Sequence, residues 1–135
     1  MNRILVIEDN REIRENTAEI LELNGFHVST AENGKVGYQV AKNYRPDIIL
    51  CDIMMPETNG REFMRLVKDD IDIDKTPIIF FSAGTSQELQ KELVNGKNAY
   101  LKKPFSEHEL LLVINDGLNK RKNHSNHNHT LSADV

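Results

Sequence analysis

The 135-residue chain has a single cysteine, no tryptophan and only four prolines. One thiol cannot close an intramolecular disulfide, so a disulfide scaffold is excluded. Cys51 also lies inside an apolar run, which suits a buried structural thiol rather than a reactive one. Long apolar stretches are missing too. The longest span a few residues, against the roughly 20 needed to cross a bilayer, and the N-terminal run is too short for a secretory h-region. The expected location is therefore cytoplasmic, without a membrane partner. Positive charge is in deficit: a formal net charge of −4 argues against direct nucleic-acid binding and for protein partners. What remains, 39% hydrophobic and 28% charged residues, is the composition of one globular domain with a real core.

Short apolar runs recur, and four of them lead to residues able to handle a phosphoryl group. Ile4 to Ile7 runs into Glu8 and Asp9, Ile48 to Cys51 into Asp52, and Ile78 to Phe81 into Ser82, while Ala99 to Leu101 leads to Lys103 before Pro104. Read as parallel strands, the runs bring all these groups to one edge of a sheet. That edge is where open α/β folds bind ligands, at the topological switch point.

Between the runs the apolar spacing turns helical. Asp9 with Glu12 reads as a capping-box-like start, and Ile13, Thr17, Ile20, Leu21 and Asn24 keep the period until Gly25. His27 to Ala31 is a second strand. Asn33 caps a helix through about Tyr44, and Pro46 breaks it before a third strand over 47–51. A loop ending at Asn59 and Gly60 precedes a helix over 61–68 and a strand over 77–81, and Thr85 with Glu88 opens the next helix. After a strand over 99–102, Ser106 with Glu109 forms a capping box and Phe105 against Leu110 a hydrophobic staple. The last helix is expected to reach about Lys120. The domain then covers 1–122, and 123–135, with His124, His127 and His129 among Asn and Ser, is expected to be a polar, disordered tail.

Strands rich in Ile, Leu, Val and Phe alternating with helices predict an α/β fold, with a parallel sheet covered on both faces. Right-handed crossovers leave few topologies. The doubly wound order 2-1-3-4-5 sets the first and third strands side by side and so brings Glu8 and Asp9 next to Asp52. Taken singly, the residues are unremarkable: a carboxylate after a strand caps helices, Ser82 reads as a turn residue and Lys103 as a solvated charge. Their joint placement favours a site. Carboxylates roughly 5 Å apart repel by on the order of 3 kcal/mol per pair at an effective dielectric of about 20. Three of them need a cation to stay ionised, and an all-oxygen donor set favours Mg²⁺.

The segments ILVIEDN, IILCDIMMPETNG, IIFFSAG and AYLKKPF, in this order and spacing, resemble the receiver domain of two-component response regulators over about residues 2 to 120. The resemblance implies a flavodoxin-like (βα)5 fold with a five-stranded parallel sheet, acting as a signalling switch rather than a conventional enzyme. It implies that Asp52 is the phospho-acceptor, fed by a sensor histidine kinase or phosphotransfer protein. Asp9, Asp52 and the Met54 backbone carbonyl would bind Mg²⁺, with Glu8 acting through a water. Ser82 and Lys103 would engage the phosphoryl group, Tyr100 would change rotamer with Ser82, and the Lys103–Pro104 peptide would be cis. The switched surface would serve a downstream protein or a phosphorylation-dependent homodimer. Glu8 stands where the family more often has Asp, Lys97 where a small residue is usual and Asn98 where an acid is typical.

Two other readings carry less. An aspartyl-phosphate hydrolase would place a second acid two residues after its nucleophile, where this chain has Met54. A non-phosphorylated interaction module of the same fold would be expected to lack an acid or the lysine, and here the set is complete. No DNA-binding or enzymatic output domain fits in the tail, and the resemblance is to a single-domain response regulator. Finally, Leu110 to Ile114 are five consecutive apolar residues on a helix, more than one turn, so they cannot all face the sheet. With Leu110 and Ile114 buried, Leu112 is predicted to point outward.

Overall fold

The strands are β1 (Arg3–Ile7), β2 (His27–Ala31), β3 (Ile48–Asp52), β4 (Ile78–Ser82) and β5 (Ala99–Lys102). The helices are α1 (Arg11–Leu23), α2 (Gly34–Tyr44), α3 (Gly60–Lys68), α4 (Ile71–Asp74), α5 (Gln87–Leu93) and α6 (Glu107–Asp134). In this computed structural model, which describes residues 2–53, 60–84, 86–94 and 96–134, the strands form one parallel sheet in the order β2-β1-β3-β4-β5. Strand order and fold class are those predicted from the runs.

The strands lack polar alternation because both faces of the sheet are covered. Leu5 and Ile7 pack on one side with Ile49, Cys51, Phe80 and Phe63 of α3. Ile4 and Val6 pack on the other with Ile48, Leu50, Phe81, Leu21 of α1, and Leu110 and Ile114 of α6. Helix α6 lies close on β3: a Cβ built at Gly117 would come within 2.5 Å of Ile48 Cδ1, so glycine there is a packing requirement rather than a break. Gly25, at φ +88°, takes the left-handed turn that ends α1. Leu112 is 56% exposed while Leu110 and Ile114 are fully buried. His108, Glu109, Asn115, Asp116 and Asn119 around it are exposed as well, so the outward position predicted for Leu112 is observed.

Several boundaries differ from the sequence expectation. The N-cap of α1 is Asn10, whose Oδ1 accepts from Ile13 N–H at 2.9 Å, and not Asp9. The cap of α5 is Ser86, one residue after Thr85, which lies outside the described residues; its Oγ accepts from Leu89 N–H. Helix α4 was not expected. It is a single turn capped by Asp70 that buries Ile73, too short to show a period. The end expected at about Lys120 is corrected as well: α6 continues to Asp134, with neither Gly nor Pro after Gly117 to stop it. The last turns of this helix run through residues 123–134 of the polar segment. The capping box of α6 is present, with Ser106 N–H donating to Glu109 Oε1 and Glu109 N–H to Ser106 Oγ, both at 3.1 Å.

Candidate functional site

The ladder itself carries the site residues to the carboxyl edge of the sheet. Ile7 of β1 is in register with Cys51 of β3, which sets Glu8 beside Asp52. The hydrogen-bond ladder continues past the strand ends: Glu8 N–H donates to the Ala31 carbonyl, Ile53 N–H to Phe81 and Lys103 N–H to Ser82. Each side chain therefore starts from a fixed backbone. The cap on α1 matters here. Because Asn10 satisfies the first turn, the Asp9 carboxylate is not used as a cap.

Glu8, Asp9 and Asp52 each offer a carboxylate oxygen, and these oxygens lie within 4.8 Å of one another. Lys103 closes the cluster, with Nζ 2.6 Å from Glu8 Oε1 and 3.3 Å from Asp52 Oδ2. Its ammonium also stands 4.8 Å from the centroid of the Phe81 ring, a favourable position for a cation. Glu8 and Asp52 are only 1% and 4% exposed, so these charges interact where water screens them poorly. Burial alone would lower the Lys103 pKa, but hydrogen bonds and charge from Glu8 and Asp52 outweigh it and hold the ammonium above the usual lysine range. Asp9 is pushed up, first by desolvation and then by the adjacent Glu8 carboxylate. Burial, followed by the charges of Asp52 and Glu8, raises the Cys51 thiol well above its ordinary value, which fits an inert core residue.

Three carboxylates against one ammonium leave two formal negative charges. A hard divalent cation would balance them. Oxygen ligands on an octahedral Mg²⁺ at about 2.1 Å stand roughly 3 to 4 Å apart, so the carboxylate spacing fits such an ion with small side-chain adjustment. The Met54 carbonyl lies outside the described residues. Ser82 is buried at the end of β4, and its carbonyl accepts from Lys103 N–H at 2.9 Å and from the Tyr100 hydroxyl at 3.1 Å. Tyr100 and Ser82 are thus already linked. The Lys103–Pro104 peptide is cis. Lys97 and Asn98, the departures noted in the sequence, stand apart from this set, and Asn98 is a buried structural residue that accepts from Ile78 N–H.

Two contributors escaped the sequence reading. Arg14 Nη1 donates to the Glu8 carbonyl at 2.8 Å and to the Asp9 carbonyl at 3.4 Å, clamping the backbone of the acid pair from the first turn of α1. Asn10 N–H donates to Glu8 Oε2 at 3.3 Å, so both oxygens of Glu8 are engaged. Arg14 follows the Asn10 cap by one helical turn. That spacing was a signal, but a basic residue there reads equally as a solvated face.

A parallel sheet in this order, with helices on both faces and a charged cluster at the switch point between β1 and β3, defines a doubly wound α/β domain. The family model described as the response regulator receiver domain matches residues 4–115, and the chain belongs to that family of two-component response regulators. Among curated proteins it is 37% identical to response regulator MprA of Mycobacterium sp. (strain KMS), over 81% of this chain and 47% of that protein. It is 31% identical to transcriptional regulatory protein CpxR of Escherichia coli (strain K12), over 100% of this chain and 60% of that one. The chain therefore spans about half the length of these relatives. Among solved structures, chemotaxis protein CheY4 of Vibrio cholerae superimposes with a TM-score of 0.79 at 30% identity, covering 86% of this chain and 98% of that one. The receiver domain of Francisella response regulator 1452 gives a TM-score of 0.79 at 28% identity, covering 89% and 98%.

Proposed function

We propose that this domain accepts a phosphoryl group on Asp52 from a phosphohistidine of a sensor histidine kinase or phosphotransfer protein, and relays the change to a downstream protein or a second copy of itself. The observation that carries the reading is the Lys103 ammonium seated on Asp52 and Glu8, inside a cluster of three carboxylates at the switch point. Phosphoryl transfer passes through a loose transition state with charge on the equatorial oxygens, so positioning and neutralisation supply most of the catalysis. Asp9, Asp52 and the Met54 carbonyl are the assigned ligands of Mg²⁺, with Glu8 acting through a water; when bound, the ion supplies positive charge at those oxygens.

Asp52 is the nucleophile. Its carboxylate oxygen forms a bond to phosphorus as the bond from phosphorus to the donor imidazole nitrogen breaks, the imidazole leaving with that electron pair. Lys103 turns from Glu8 toward the new phosphoryl oxygens, a short movement because Asp52 is already within its reach. Ser82 is assigned to hydrogen-bond the phosphoryl group. Because the Tyr100 hydroxyl bonds the Ser82 carbonyl, any displacement of Ser82 loosens Tyr100, and the change passes to the face that carries β5. Moving such a two-state surface from 1:99 to 99:1 needs about 5.5 kcal/mol of differential stabilisation. Intact mass after incubation with acetyl phosphate tests the reading. A gain of one phosphoryl group with Mg²⁺, abolished by chelation, is expected. No gain, or a gain indifferent to chelation, would count against it.

A further inference from the structure

Strands β2 and β5 are the two edges of the sheet, and the β2 edge is open along its outer main chain among the described residues. Strand β2 pairs with β1 alone. His27 N–H donates to the Asn2 carbonyl and the Ala31 carbonyl accepts from Glu8 N–H, so residues 27, 29 and 31 turn their N–H and C=O groups toward β1. The groups of Val28 and Thr30 point the other way, because successive residues of a strand alternate. They have no partner among the described residues. Natural edges are commonly guarded by lysine, proline or a bulge. The β2 sequence, His-Val-Ser-Thr-Ala, carries neither a lysine nor a proline.

Beside this edge runs a groove of about 550 Å³ between α1 and β2. Glu15, Glu19 and Glu22 form its wall, Leu23 and Val28 give it apolar surface, and Thr30 closes it; no basic side chain lines it. Leu23 is 79% exposed. Glu15 is held by Arg11 at 2.9 Å, whereas Glu19 and Glu22 have no ion pair among the described residues.

We propose that this edge is a second interaction surface, which takes an extended, lysine- or arginine-bearing segment of a partner protein as a sixth strand beside β2. Addition of a strand to an open edge draws its affinity from main-chain hydrogen bonds and its specificity from alternate side chains. The outward groups of Val28 and Thr30 set the register. Every second side chain of the added strand would then stand on the α1 side, about 6.6 Å from the next. The three glutamates climb α1 in steps of about 6 and 4.5 Å along its axis, so basic residues at alternate positions can each meet one. The same charge row disfavours a second copy: two-fold pairing of β2 with β2 would set like charges against like. The site lies outside the Asp52 pocket and does not depend on the reading of that pocket.

The test is titration of the isotopically labelled full chain, followed by NMR, with a capped seven-residue peptide of alternating Lys and Val. Saturable shifts and slowed hydrogen exchange are expected at the Val28 and Thr30 amides, with affinity falling at high salt. An alternating Glu and Val peptide should not bind. Charge reversal by Glu19→Lys with Glu22→Lys should weaken the Lys peptide at least about tenfold. Thr30→Pro, which deletes an outward N–H without breaking a hydrogen bond to β1, should remove the exchange protection at Val28 while the β1 ladder persists. The proposal is overturned if the two peptides bind alike, if charge reversal changes nothing, or if binding leaves the Val28 and Thr30 amides unprotected.

Discussion

Glu8→Gln separates two roles that the buried glutamate combines. Lys103, at 2.6 Å, attracts Glu8 by on the order of 6 kcal/mol at an effective dielectric of about 20. Asp9 and Asp52, within 4.8 Å, each repel it by about 3 kcal/mol on the same scale. The terms nearly cancel, and a carboxylate only 1% exposed carries a desolvation cost that the isosteric amide escapes. Without divalent cation, the variant is therefore expected to melt within about 8 °C of the wild type, taking about 4 °C per kcal/mol for a domain of this size. Metal binding should respond differently. Loss of one carboxylate from the cluster is expected to weaken Mg²⁺ by about 10- to 100-fold. At a saturating concentration that removes at least about 1.4 kcal/mol of the cation's stabilisation, so the Mg²⁺-dependent rise in melting temperature shrinks by about 5 °C or more. Thermal melts with and without Mg²⁺ decide it. A large loss of stability in the absence of the ion would mean that the Lys103 pair outweighs the repulsions, and an unchanged Mg²⁺ response would remove Glu8 from the metal site.

Asp9 has a raised pKa, so the native state binds its proton more tightly than the unfolded chain and stability falls as pH rises through the folded value. Asp9→Asn should therefore raise the melting temperature of the metal-free protein at neutral pH while weakening Mg²⁺ in calorimetric titration; a lower melting temperature with intact Mg²⁺ affinity would refute the assignment. Gly117→Ala forces a methyl group against Ile48, and an overpacking loss of about 1 to 3 kcal/mol is expected in urea unfolding. A neutral result would mean that α6 shifts freely on β3. Leu112→Glu, on an exposed position, should change stability by less than about 0.5 kcal/mol. It should leave phosphorylation intact but reduce phosphorylation-dependent association in sedimentation; unaltered association would mark Leu112 as ordinary surface.

The fold was legible because its signals are periodic and redundant. Ile4 to Ile7 and Ile48 to Cys51 could be read as strands buried on both faces, and strand order then followed from handedness and from the need to gather the acids. The outward position of Leu112 came from helical spacing alone. Local choices between neighbouring polar residues were harder. Asp9 and Asn10 cap helices almost equally well, as do Thr85 and Ser86, and which one does so depends on where the preceding strand releases the chain. Arg14 was missed because its partners are main-chain carbonyls, which leave no mark in a side-chain pattern. The outward main-chain groups of Val28 and Thr30 were likewise invisible, since only the ladder register says which way they point.

The central claim is that one carboxylate of the cluster, Asp52, is the group that carries phosphate. Borohydride reduction of the phosphorylated protein converts an aspartyl phosphate to homoserine, and peptide mass spectrometry then locates the converted residue. Conversion at Asp52 alone, lost in Asp52→Asn, is the expected result. Conversion at Asp9, or a phosphoryl adduct that survives unchanged in Asp52→Asn, would contradict the account.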